Sequence, residues 1–121
     1  MNLKIIEADF AVCKIEHMKS ISLEDDFLFI GKTDEELSIV CSTDSVPEGV
    51  LECEMPWRAF RIQGPLDFSL VGILARIAGH LAEHGISLFA VSTYDTDYIL
   101  VKSEVFDKAV RVLTGCSYTF A

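Results

Sequence analysis

The chain has 121 residues, half of them hydrophobic, and a formal net charge of −9. That composition suits a packed core and excludes a disordered polypeptide, and the length makes one ordinary domain or two very small ones. The acid excess lies in residues 1–56, with four Lys/Arg against 13 Asp/Glu, while residues 57–121 hold six of each; the chain therefore lacks the basic footprint that nucleic acid requires.

The first strand is expected over Asp9–Ile15, with room to extend back to Leu3. The eleven residues between Ile15 and Phe27 leave space for a turn or two near Met18–Leu23, not for a full helix. Residues 27–41, FLFIGKTDEELSIVC, then read as an apolar run, an acidic polar turn and a second apolar run, which is the pattern of a β-hairpin. The same pattern returns in residues 88–102, LFAVSTYDTDYILVK. An ungapped alignment places Phe27 on Leu88, Asp34 on Asp95, Glu36 on Asp97 and Val40 on Val101. Such internal repetition points to two copies of one small supersecondary unit. Between the copies, Ser45–Pro56, with Pro47, Gly49 and Pro56, reads as a connector carrying at most one helical turn.

The second half is clearer. Trp57–Gln63 alternates apolar and polar residues as a half-buried strand does. Gly64-Pro65-Leu66-Asp67 breaks it. A helix follows over about Ser69–His84, with Leu70, Ile73, Leu74, Ile77 and Leu81 on one stripe. Asp67 or Ser69 can cap its start and Gly85 its end. The strand Ile86–Ser92, the turn Thr93–Thr96 and the strand Asp97–Lys102 make the second hairpin. Ser103 caps a second helix whose buried stripe is Phe106, Ala109, Val110 and Leu113, Gly115 stops it, and Cys116–Phe120 is a last strand. The order β-α-β-β-α-β is the ferredoxin-like arrangement, an α+β fold with helices on one face of the sheet. The first half is a degenerate copy, giving units 1–56 and 57–121.

No apolar run approaches the roughly 20 residues of a membrane helix, and MNLKIIEADF lacks the pattern of a signal peptide. A cytoplasmic protein without membrane contact is expected. Cys13, Cys41, Cys53 and Cys116 form no CxxC pair and read as buried small apolar residues of a reducing compartment, with no zinc site. His80-Leu81-Ala82-Glu83-His84 fits the H-x-x-E-H zinc-peptidase spacing, but it stands without a further ligand or a cleft-forming body, so no metal is assigned to it. No Ser or Cys has a recognisable base partner, and neither catalysis nor a cofactor is expected.

Two segments point to binding. Gly64–Gly72 (GPLDFSLVG) joins a strand to a helix N-terminus, where free N–H groups favour an anion. A glycine turn with tight helix–sheet packing explains it equally well. Ser92–Tyr98 carries two acids and two aromatics at a strand end, suited to a cationic group or to ordinary Asx turns.

The run WRAFRIQGPLDFSLVGIL, with LAEHGISLFAVSTYDTDYILVK and the earlier TDEELSIVC, resembles the ACT domain of the aspartokinase and CASTOR-like group, and in particular small bacterial proteins of two tandem ACT units. The likeness covers about residues 27–41 and 57–113. It implies a regulatory module that binds an amino acid or related metabolite at an ACT–ACT interface. Carried over, the ligand loop is Gly64, Pro65, Leu66, Asp67, Phe68 and Ser69 with Gly72 behind it, facing Thr93, Tyr94 and Asp97. In arginine-sensing relatives an acid at the position of Asp97 meets the cationic side chain. Sensors of that type carry four ACT units, so a homodimer would restore the number. Any regulated enzyme would be a separate polypeptide. The competing expectation is a ligand-free interaction or dimerisation module with an acidic face.

Overall fold

The computed structural model describes residues 1–19, 21–63 and 72–121. They form two compact units, Met1–Glu7 with Arg58–Ala121, and Ala8–Trp57. This differs from a single boundary after residue 56 by grouping Met1–Glu7 with the later residues. The strands are β1 (Asn2–Ile15), β2 (Phe29–Lys32), β3 (Leu37–Ser42), β4 (Val50–Ile62), β5 (Phe89–Ser92), β6 (Asp97–Lys102) and β7 (Thr119–Phe120). The helices are α1 (Ile73–Glu83) and α2 (Phe106–Gly115), with 3-10 turns at Thr43–Ser45 and Ser103–Val105.

In the unit containing residues 58–121 the strand order is β7-β1-β4-β6-β5. The first residues of β1 thus stand between the first and last strands of the β-α-β-β-α-β series. Asn2 and Leu3 pair in parallel with Thr119 and Phe120, and the Asn2 carbonyl accepts from the Gln63 N–H at 2.9 Å. Leu3 is fully buried, which is why the amino terminus is held there. One face of this sheet carries the helices. Its core joins Leu3, Phe60, Ile62, Ile99 and Val101 to Ile73, Ile77 and Leu81 of α1 and Phe106, Ala109 and Leu113 of α2.

Both helices end by the same device. After α1, Gly85 has φ 71°, its N–H donates to the Ala82 carbonyl and that of Ile86 to Leu81, each at 3.0 Å. After α2 the left-handed residue is Ser117, φ 74°, with N–H bonds from Ser117 to Thr114 and from Tyr118 to Leu113, each at 3.1 Å. This is the Schellman pattern, which favours glycine at the left-handed position. Gly115, read above as the stop, lies inside the helix; the break falls two residues later on a serine. Ser117→Gly is expected to stabilise the protein by about 1 kcal/mol, raising the urea midpoint without changing the slope.

The unit of residues 8–57 has the strand order β2-β3-β1-β4 and, among the described residues, no α-helix. Its core gathers Ala11, Cys13, Ile15, Ile39 and Cys41, with Ile21, Leu28, Leu37, Val46 and Val50 against them. The stretch Val50–Pro56, expected as connector, is strand. Leu51, Cys53 and Met55 alternate there with Glu52 and Glu54, the period of a strand.

The two hairpins repeat closely, one residue out of the register read from the sequence. Phe29 and Ile30 pair with Val40 and Ile39, while Phe89 and Ala90 pair with Leu100 and Ile99. The buried triplets are Ile39-Val40-Cys41 and Ile99-Leu100-Val101, and each hairpin runs into a 3-10 turn. Thr33 N–H donates to the Glu36 carbonyl at 2.9 Å, and Thr93 N–H to Thr96 at 2.8 Å. Thr33 therefore corresponds to Thr93, and Leu37, not Glu36, to Asp97. A one-residue shift exchanges sheet faces, so burial decides the register where the apolar-polar-apolar pattern does not. Of the acids in the two hairpin turns, Glu35 alone has an acidic counterpart, Asp95.

Burial is the main cause that raises the Cys13 thiol well above the ordinary 9.0, followed by the adjacent Cys53 thiol; burial likewise raises Cys41. A group whose folded pKa is raised contributes stability that is complete below the unfolded value and lost as pH rises above it. The melting temperature should fall as pH climbs past about 9, and fall less steeply in Cys13→Val, as thermal melts in a pH series would show.

Candidate functional site

Alternation along β4 and β6 sorts their side chains between the two faces. Phe60 and Ile62 belong to the helix-side core, so Arg61 points to the opposite face. Ile99 and Val101 are also helix-side, which puts Tyr98 with Arg61 and Asp97 with the helices. Contacts agree with this. Arg61 Nη1 donates to the Tyr98 hydroxyl at 3.1 Å, with the guanidinium carbon 5.9 Å from the ring centroid.

At this end of the two strands lies a cavity of about 320 Å³ lined by Arg61, Ile62, Gln63, Thr93, Asp95, Thr96 and Tyr98. Its volume is at the small end of the range for ligand pockets. The turn that borders it is well tied. Thr93 Oγ1 donates to the Thr96 carbonyl at 3.1 Å, and Thr96 Oγ1 to the Ile62 carbonyl at 2.7 Å, so the hairpin turn is fixed to the end of β4. Among the described residues neither Arg61 nor Asp95 has an ion-pair partner. A guanidinium and a carboxylate thus face one cavity without neutralising each other, an arrangement that suits a ligand bearing both signs.

Of the residues expected from sequence, Thr93 lines the cavity. Tyr94 stands at the tip of the turn, 82% exposed. Asp97 is half-buried, and its Oδ1 accepts from the Ser92 hydroxyl on the helix side of the hairpin. Gly72 precedes α1 with φ 80°, and its carbonyl accepts the Arg76 N–H at 2.9 Å; only glycine takes that backbone conformation freely. Gly64, Pro65, Leu66, Asp67, Phe68 and Ser69 lie outside the described residues, as does the expected start of α1. Asp95, Thr96 and Tyr98 belong to the segment Ser92–Tyr98 read above as suited to a cationic group, whereas Arg61 is a cavity residue that no sequence pattern singles out.

The remaining motifs are accounted for locally. The His84 Nδ1–H donates to the His80 carbonyl at 3.0 Å, and the His80 ring packs edge-on to Tyr118 at 6.1 Å. Among the described residues no three His, Cys, Asp or Glu side chains converge as a metal site. No described helix is long and apolar enough to cross a membrane.

A small α+β domain with two helices on one sheet face and a polar cavity at the strand ends is the class that these observations define. A family model described as ACT domain matches residues 52–115, and the chain belongs to that family. A second model, of an N-terminal domain, matches residues 8–49. A crystal structure of an Agobacterium tumefaciens protein is 32% identical, with a TM-score of 0.88 over 99% of this chain and 91% of that one. A Vibrio cholerae protein described as of unknown function is 25% identical, with a TM-score of 0.76 over 94% and 88%. The structure of aspartokinase alpha and beta subunits shares the fold, with a TM-score of 0.61 at 14% identity over 93% of this chain and 95% of that one. In sequence, the human protein named cytosolic arginine sensor for mTORC1 subunit 1 is 43% identical over 58 residues, which is 47% of this chain and 18% of that protein. The chain therefore spans less than a fifth of that relative's length.

Proposed function

We propose that this chain is a non-catalytic regulatory protein that binds a free amino acid or a closely related metabolite. The observation that carries the reading is the pairing of Arg61 and Asp95, each without an ion-pair partner among the described residues, on one small cavity of an ACT unit. A guanidinium takes a carboxylate in a bidentate fork, and a carboxylate takes an ammonium. The likeness to a protein named as an arginine sensor supports the amino-acid class. Gly64–Ser69, Gly72, Thr93 and Tyr94 complete the proposed ligand shell, together with Thr96 and Tyr98, while Asp97, engaged by Ser92 on the other face of β6, stands outside it.

The matching hairpins and 3-10 turns support a tandem of two ACT-like units, the earlier one having lost its helices. Dimerisation of the chain would bring four units together, and the bound state would be read by a separate protein in the cytoplasm. The test is thermal melting of the purified protein against the twenty amino acids. A true ligand at 100 times its Kd adds about 2.7 kcal/mol, a shift of several degrees for a protein of this size. A flat panel at millimolar ligand would reject the amino-acid reading and favour a ligand-free interaction module with its acidic residues 1–56 as the docking face.

A further inference from the structure

Three of the four cysteines converge in the unit of residues 8–57. Cys13 lies on β1, Cys41 on β3 and Cys53 on β4, and in strand order β1 stands between the other two. Cys41 pairs with Ala11 and Ile39 with Cys13, so Cys13 and Cys41 share the core face, both 1% exposed. Cys53 differs from the expectation of four buried thiols: it is exposed. Its Sγ sits 3.1 Å from that of Cys13.

We propose that Cys13 and Cys53 are a redox pair, with Cys53 the thiol that meets a peroxide and Cys13 the thiol that closes a reversible disulfide between β1 and β4. A buried thiol serves ordinarily as a small inert apolar residue. An exposed thiol in contact with a buried one is different, since oxidant-responsive cysteines are accessible and stand beside a resolving partner. Neighbouring strands also bring Cα atoms to about 4.5–5.5 Å, within the span a disulfide bridges. Burial holds the Cys13 thiol in its neutral form, which leaves the first encounter to Cys53.

The chemistry balances with peroxide as the two-electron oxidant. The Cys53 thiolate attacks one peroxide oxygen, the O–O bond breaks, and the departing oxygen takes a proton and leaves as water or an alcohol. Cys53 is then a sulfenic acid. The Cys13 sulfur attacks the Cys53 sulfur, the S–O bond breaks, and the departing hydroxide leaves as water with the proton from the Cys13 thiol. A dithiol reductant returns both thiols by exchange. Cys41, buried on the far side of Cys13 in strand order, takes no part.

The experiment treats the whole protein with hydrogen peroxide, alkylates the remaining thiols and maps linked peptides by mass spectrometry. The free-thiol titre of four should fall by half, with one intramolecular link between the Cys13 and Cys53 peptides, and recover in dithiothreitol. Cys41→Ala should form the same link. Cys53→Ser, at an exposed position, should keep all its thiols at the same dose. In Cys13→Ala, Cys53 should be trapped as the sulfenic acid by dimedone; if that variant does not fold, the wild type and Cys53→Ser decide. A wild type in which Cys53 oxidises without a link, or links to Cys41, to Cys116 or to a second chain, overturns the proposal.

Discussion

Phe60→Ala should lower the unfolding free energy by about 3–5 kcal/mol, the cost of truncating a buried aromatic, read as a lower urea midpoint. Phe60 is fully buried in the middle of the helix-side core. Its ring meets Phe120 edge-on at 5.5 Å and lies tilted against Phe106 at 6.5 Å. One side chain therefore joins β4 to the last strand and to the start of α2. The void left by its removal is bounded by these two aromatics, and the cost is set by how far they close over it. Stabilities of small domains are about 5–15 kcal/mol, so this change takes a large share and could leave the variant partly unfolded at 37 °C. Leu51→Ala is the control: 55% exposed, it should shift stability by no more than about 0.5 kcal/mol. A Phe60→Ala loss of under about 1 kcal/mol would mean that the core around Phe106 and Phe120 is not packed as described.

What could be read from the sequence was what is local. The stripes Ile73, Ile77, Leu81 and Phe106, Ala109, Leu113 gave both helices because their spacing alone defines a buried face, and those residues are buried. The amino-terminal part of β4 was hidden by its own punctuation: Pro47, Gly49 and Pro56 argue for a connector, although Leu51, Cys53 and Met55 alternate with two glutamates. The pairing of Asn2 and Leu3 with Thr119 and Phe120 joins residues at opposite ends of the chain, and no local pattern records such a partner. The hairpin register slipped by one for a related reason. Phe27-Leu28-Phe29-Ile30 offers apolar residues at consecutive positions, so both offsets satisfy the pattern and only cross-strand pairing selects one.

The site divides in the same way. Thr93 and Asp95 were visible as members of a polar turn. Arg61 read as the ordinary solvent-facing position of a half-buried strand, which it is until Tyr98 on the adjacent strand gives its guanidinium a direction. That neighbour lies 37 residues along the chain. Asp97 is marked both as an acid of that polar turn and by family likeness, yet its carboxylate is engaged by Ser92 on the other face of β6.

These two positions make the sharpest test of ligand binding, and Arg61→Ala carries the larger expected effect. Hydrogen bonds to a charged group are worth about 1.5–3 kcal/mol, so removing the guanidinium should weaken Kd by roughly 10- to 100-fold. Ligand held at 100 times the wild-type Kd stabilises the wild type by about 2.7 kcal/mol; at a 100-fold weaker Kd the same concentration gives about 0.4 kcal/mol. The melting shift would all but vanish. The unliganded protein should change little, since the side chain is only half-buried. Asp95→Asn should weaken a zwitterionic ligand as well, while leaving an acid that lacks the ammonium unaffected; calorimetry with an amino acid and its deaminated analogue separates the two. Asp97→Ala should retain most of the melting shift. The opposite pattern, binding kept in Arg61→Ala and lost in Asp97→Ala, would move the ligand to the helix side of β6 and sink the cavity as the site.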